Sequence, residues 1–316
     1  MSLSLKRKES LREGLQRISE KRLKDVLQVI GQEGLTANPV HEVRKAIKGL
    51  RATLRLTRGA LSLEARKARN EALRDLASRF SGPRDAAVTL SAFEKAYRES
   101  LNGNCRPEVR PHWAAQLQQS LAGQANALIP AESYQNAAEG VRHLRGQLLS
   151  FEDYRSRGDA SQPRVKDDWE KTVEEGLRKT YSQGRRLLRR VAAIPEPPDE
   201  QWHELRKRAK DLGYQLALLK KVKGIKPLLA KLDKVGSALG DARDLSLLRD
   251  YLGKVRDERE LTPSGQRSYE RLLTHVDQQR RGLHRRALKA ARRVYRRGGK
   301  QFTGRMAKRW RLWQGG

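Results

Sequence analysis

The chain has 316 residues, of which 37% are hydrophobic and 5% aromatic, and it carries 68 Lys and Arg against 37 Asp and Glu, a formal net charge of +31. That length holds one large core or two of moderate size, and the scarcity of aromatic and β-branched residues beside abundant Leu, Ala, Arg, Lys, Glu and Gln favours helices. A single cysteine, Cys105, excludes an internal disulfide, and the absence of a signal peptide or of an apolar run long enough to cross a bilayer leads to an expected cytoplasmic location.

The first helix is expected from about Ser10 to Gly31, with Leu11, Leu15, Ile18, Leu23 and Val26 on one side and Arg12, Arg17, Lys21 and Arg22 elsewhere. A breaker, Thr36-Ala37-Asn38-Pro39, introduces the next helix and places His41 near its start, where proline is tolerated. On that helix His41, Arg44, Lys45, Lys48, Arg51 and Arg55 share one arc, while Val43, Ile47, Leu50 and Leu54 lie opposite. A further helix, Leu63 to Arg79, leads to Phe80-Ser81-Gly82-Pro83-Arg84-Asp85, and helices from Ala86 to Leu101, Trp113 to Leu128 and Ala131 to Phe151 follow.

Arg155 to Pro163 reads as a linker, and beyond it the order repeats. Glu13-Gly14-Leu15 returns as Glu175-Gly176-Leu177, and His41-Glu42-Val43-Arg44-Lys45 returns as His203-Glu204-Leu205-Arg206-Lys207, both 162 positions on. A spacing kept between two separate matches is the mark of an internal duplication. The second copy again divides, with His203, Arg206, Lys207 and Lys210 on the basic arc, Tyr214 beside it, and Leu205, Ala209, Leu212 and Leu216 opposite. A helix from Pro227 to Leu239, a break at Gly240-Asp241-Ala242-Arg243-Asp244 and a helix from Leu245 to Arg256 are then expected, so that Arg243 matches Arg84. A final long helix, Gln266 to Arg297, opens a basic run ending near Trp310 and Trp313. Its inward stripe of Leu283, Ala287, Leu288, Ala291 and Val294 assigns it to the second bundle.

Like charges four residues apart repel by some tenths of a kcal/mol per pair, so each basic arc is a folding cost that a polyanion would remove. A histidine heading such a helix faces the positive end of its dipole, which lowers its pKa until an anion is bound there. Direct metal binding by the histidines is not expected, because lysine stands four residues after each and Arg and Lys repel a bare cation; a metal bridging a bound anion stays open. The sequence has no G-x-S-x-G, no Walker lysine and no cysteine–histidine constellation. Glu42 and Glu204 are better placed to orient Arg or Lys than to hold magnesium. A binder is therefore expected, with no catalytic residues and no cofactor. Sequence-independent nucleic-acid binding is the main rival, although the arcs lack the aromatic platforms that single-strand readers use; a phosphohydrolase, or a regulatory partner of one, is the third reading.

Taken together, the two H-E-x-R-K segments with Lys48, Arg51 and Lys210, the Gly82-Pro83-Arg84-Asp85 and Gly240-Asp241-Ala242-Arg243-Asp244 turns and Leu212-Gly213-Tyr214 resemble the CHAD family, the conserved histidine α-helical domain. The resemblance implies an all-α fold of two pseudo-symmetric helical bundles around a basic central cavity, with 1–155 and 167–316 as the two halves and 156–166 between them. It further implies binding of inorganic polyphosphate, some members residing on polyphosphate granules, with His41, Arg44, Lys48, Arg51, His203, Arg206 and Lys210 lining the cavity and Arg84 and Arg243 nearby. Lys45, Arg55, Lys207 and Tyr214 join from the helical arcs. Gly213 departs from the family, which often has arginine before the tyrosine, and the triphosphate-processing domain fused to some members is missing here.

Overall fold

The structure, a computed structural model, describes residues 3–31, 37–59, 61–79, 82–101, 110–126, 131–145, 148, 173–258 and 261–315. The expected linker 156–166, Cys105, Phe80 and Ser81 lie outside the described residues, as does the side chain of Arg84. Among the described residues the regular structure is all helical, in eleven helices. They are α1 (Leu11–Ile30), α2 (Ala37–Leu56), α3 (Leu63–Ser78), α4 (Gly82–Ser100), α5 (His112–Ala125), α6 (Ala131–Leu144), α7 (Glu175–Ala193), α8 (Asp199–Leu218), α9 (Lys226–Glu258), α10 (Pro263–Val294) and α11 (Gly299–Gly315).

Several starts are written in the sequence. Ser10 and Glu13 form a reciprocal capping box on α1, the Ser10 hydroxyl accepting from the Glu13 amide and the Glu13 carboxylate from the Ser10 amide, at 3.1 Å each. Ser62 caps α3 and Thr262 caps α10 ahead of Pro263. Where the sequence leads one to expect a break at Gly240, α9 runs unbroken for 33 residues. Glycine inside a helix costs only about 1 kcal/mol. The stretch after Pro227 contains no second proline to remove an amide, whereas Gly82-Pro83 opens a new helix in the first half. Nor does the carboxy-terminal basic run form one helix: α10 ends at Val294, and α11 begins again at Gly299.

Two apolar clusters hold the helices together. The larger packs Leu15 and Ile18 of α1, Ile47 and Leu50 of α2, Leu177 and Tyr181 of α7, Leu212 and Leu216 of α8, Val235 of α9 and Phe302 of α11. The smaller packs Phe93 and Tyr97 of α4, Trp113 and Leu117 of α5, Leu248 and Leu252 of α9 and Tyr269 and Leu272 of α10. Each draws on both halves of the sequence. The long α9 and α10 take part in both, which is what their continuity serves. Three large polar aromatics find partners within this packing: Trp113 donates to Ser268 at 3.0 Å, Tyr269 to the Leu252 carbonyl at 3.0 Å and Tyr181 to the Val294 carbonyl at 3.1 Å. No helix among the described residues is long and apolar enough to cross a membrane.

Candidate functional site

The two histidine-headed helices touch near their carboxy-terminal ends. Buried Gln215 of α8 donates to the Ala52 carbonyl of α2 and to the Thr180 hydroxyl of α7, at 3.1 Å each, and so ties three helices. One turn away, Asp211 accepts from Arg55 of α2 at 3.1 Å and from Arg208 of its own helix at 3.1 Å. Burial works to raise the Asp211 carboxyl above its ordinary range, and Arg55, Arg208 and Arg51 oppose it. Arg51, whose Nε donates to Asn70 at 3.1 Å, has its own pKa lowered by burial and then by Arg55.

Tyr214, next to this crossing, is held above its ordinary pKa by burial, with Arg22, Arg206, Asp211 and Glu42 as its charged neighbours. Arg22 was placed by periodicity off the apolar side of α1, yet it is 7% exposed and its Nη1 has no hydrogen-bond partner. Burial lowers its pKa. Gly49 explains how it fits: a Cβ there would collide with Nη1, so the guanidinium occupies the space that a side chain on α2 would take. The two features that place it, a glycine among the cations of α2 and an arginine on α1, are far apart in the sequence.

In the second half the basic arc lies across α9. Arg206 passes over Gly240, and Lys210 over Gly236, where a Cβ would come within 2.5 Å of the lysine Cε. Lys210 is 4.0 Å from Asp233. Arg243 acts on the same region from α9: the pKa of His203 is lowered first by burial and then by Lys207, Arg243 and Arg206, with Glu200 opposing. The His203 Nδ1 is buried without a hydrogen-bond partner. On its other side Trp202 stacks on His284 with ring centroids 4.1 Å apart.

The two glutamates behave as orienting groups. Glu42 holds Lys45 at 3.3 Å, and Glu204 holds Lys207 at 2.6 Å and Arg208 at 3.8 Å. His41, Lys45 and Lys48 are exposed on α2, and Arg44 is half-buried. The structure therefore joins Arg51 and Arg55 to the α8 arc, and gathers His203, Arg206, Lys207 and Arg243 into a second group. Among the described residues no three His, Cys, Asp or Glu side chains converge as a metal site.

Beyond the arcs, a cavity of about 240 Å³ opens beside Arg55 and Arg208, and Arg58, Arg66 and Lys179 also line it. None of the last three belongs to a repeated motif, so pattern matching could not find them. Arg58 lies in the turn after α2, Arg66 in the first turn of α3 and Lys179 near the start of α7, and their convergence exists only in the folded chain.

No curated protein matches the chain. Among solved structures it is similar to the crystal structure of the CHAD domain from the plant Ricinus communis, with a TM-score of 0.58 and 17% identity over 94% of this chain and 96% of that one. It is also similar to PptA from Streptomyces chartreusis, with a TM-score of 0.54 and 16% identity over 91% and 98% of the two chains. At such identity the likeness speaks for the fold. The sequence itself matches the CHAD domain over residues 18–253, about three quarters of its length, and the chain belongs to the CHAD domain family.

Proposed function

We propose that this protein binds inorganic polyphosphate along the basic arcs of α2 and α8, as a binder and not as an enzyme. The observation that carries the reading is the helix crossing. Arg22, Arg51, Arg55, Arg206 and Arg208 lie within electrostatic reach of Asp211 or Tyr214, and the carboxylates among them are Asp211, Glu42 and Glu204, the last two shared with Lys45 and Lys207. Such a group is stabilised by a ligand carrying one negative charge per repeat unit and no bulky base. Charge-assisted hydrogen bonds from guanidinium groups to phosphoryl oxygens supply the affinity, and His203 gains charge as a bound phosphate offsets Lys207 and Arg243. The pseudo-symmetric central cavity, with His41, Arg44, Lys48 and Arg84 on one side and Lys210 and Arg243 on the other, is part of this proposal, as is residence on polyphosphate granules.

The test is a titration with long-chain polyphosphate at several salt concentrations. Affinity should fall steeply with salt as counterions are released. Arg44→Ala with Arg206→Ala should weaken binding by about 1.5–3 kcal/mol per lost contact while the helical spectrum stays unchanged. Binding indifferent to salt, or unchanged in the double variant, contradicts the reading. Duplex DNA at equal phosphate concentration should fail to displace polyphosphate; if it succeeds, the nucleic-acid reading replaces this one. Orthophosphate release with magnesium would make the protein a phosphohydrolase.

A further inference from the structure

The cavity beside the crossing has a chemistry of its own. Arg55 and Arg58 reach it from the end of α2, Arg66 from α3, Lys179 from α7 and Arg208 from α8. Three carboxylates answer these five cations: Asp211 is shared by Arg55 and Arg208, Glu204 lies 3.8 Å from Arg208 and 2.6 Å from Lys207, and Glu175 lies 3.1 Å from Arg58 Nε. That Nε is buried and makes no aligned hydrogen bond even so. Among the described residues Arg66 and Lys179 have no ion-pair partner; their nearest charges are chiefly the other cations of the cavity, and repulsion from these adds to burial in lowering the pKa of both. With Glu204 divided between Arg208 and Lys207, the lining thus keeps an excess of two to three positive charges.

The site is built by close helix packing. A Cβ on Gly176 would collide with the carbonyl oxygens of Arg55 and Leu56, so only glycine lets the first turn of α7 sit against the last turn of α2. That approach brings Lys179, three residues on, to the same opening as Arg55 and Arg58.

We propose that this cavity is a socket for a diphosphate unit, supplied either as free inorganic pyrophosphate or as the terminal pair of phosphoryl groups of a polyphosphate chain. Charge favours it, and the cavity has room for it. On the measure by which one water needs about 10–15 Å³, the cavity of about 240 Å³ has room for two joined phosphoryl groups. It is smaller than the roughly 300–1,000 Å³ of pockets that enclose whole organic ligands. A single phosphate group carries about −1.5 to −2 at neutral pH and would leave part of the excess charge unanswered, whereas two joined groups meet it. The chain-end source rests on the polyphosphate reading above; the free diphosphate does not.

Calorimetric titration with pyrophosphate tests the socket. The wild-type protein should bind one equivalent saturably, and Arg66→Ala with Lys179→Ala should weaken that binding at least tenfold. Lys179→Arg should retain it, and Arg206→Ala with Lys210→Ala, which alters the neighbouring arc, should change it less than threefold. Thermal melting of each variant verifies that it is folded. Pyrophosphate affinity unchanged in the Arg66 and Lys179 variant, or lowered equally by the Arg206 and Lys210 variant, overturns the proposal. A second titration uses long-chain polyphosphate with free ends and with both ends blocked as esters. If blocking weakens binding to wild type but not to the socket variant, the occupant is the chain end. If blocking changes nothing while pyrophosphate still binds, the occupant is the free diphosphate. Should long chains fail to bind while pyrophosphate binds, the polyphosphate reading falls and the socket stands.

Discussion

Asp211 shows how one side chain sets fold stability against ligand affinity. It is the carboxylate that both Arg55 and Arg208 use, at 3.1 Å each, and its side chain is 13% exposed. Asp211→Asn removes the charge from two charge-assisted bonds and leaves two guanidinium groups facing each other, so urea denaturation should show a loss of about 1–3 kcal/mol. The same change frees both cations for an incoming anion, and pyrophosphate affinity should rise as stability falls. A variant that loses both would show that Asp211 positions the arginines instead of competing for them. His284 gives a separate handle on pH. Burial against Trp202 holds its pKa down at about 4, with Asp199 opposing. The folded state therefore prefers the neutral ring, while the unfolded chain takes up its proton near pH 6.5. Its contribution is complete above pH 6.5 and is lost as the pH falls toward about 4. Solvent screening of a partly exposed ring reduces the loss to about 1–2 kcal/mol. Denaturation of the wild type and of His284→Phe at pH 7 and pH 5 should show the wild type losing more stability than the variant.

At the scale of the helices, glycines in α9 separate helix propensity from ligand geometry. A Cβ at position 240 would lie 3.4 Å from Arg206 Nη2, ordinary contact, so Gly240→Ala should stabilise α9 by up to about 1 kcal/mol and leave polyphosphate affinity unaltered. At position 236 the Cβ would press on Lys210 Cε, and Gly236→Ala should move the lysine and weaken binding without a matching gain in stability. Paired denaturation and binding curves check both; equal behaviour of the two variants would mean that the lysine stem yields freely. The same glycines show what the sequence could and could not reveal. Period and capping were enough for α1, α3 and the histidine helices, because Ser10, Ser62 and the Leu and Ile stripes act within a few residues of themselves. The break expected at Gly240 failed because a glycine in a helix is only a weak penalty, and packing of Val235 in one cluster and Leu248 in the other outweighs it. The paired residues of the arcs, Glu42 with Lys45 and Glu204 with Lys207, were legible as neighbours on one helix face. Arg22 and the Arg58, Arg66 and Lys179 group were not, since each depends on a contact between helices that local pattern does not encode.

Over the whole molecule, a net charge of +31 couples solution conditions to folding and to binding in opposite senses. Self-repulsion among the cations weakens the compact state, and salt screens it over roughly 10 Å at 0.1 M. Raising sodium chloride from low concentration should therefore raise the melting temperature of the free protein. Phosphate-chain binding runs the other way, because each neutralised phosphate releases counterions that salt makes harder to release. Ligand that binds the folded chain preferentially adds stability in proportion to the logarithm of its concentration over Kd, so saturating polyphosphate should raise the melting temperature most where salt is lowest. The two curves of melting temperature against salt, with and without polyphosphate, should then converge as salt rises. Parallel curves would mean that the ligand's stabilising effect does not come from neutralising the arcs. Curves that converge for wild type but lie together at every salt for the Arg44→Ala, Arg206→Ala protein would trace the effect to those two guanidinium groups, and with them to the basic arcs of α2 and α8.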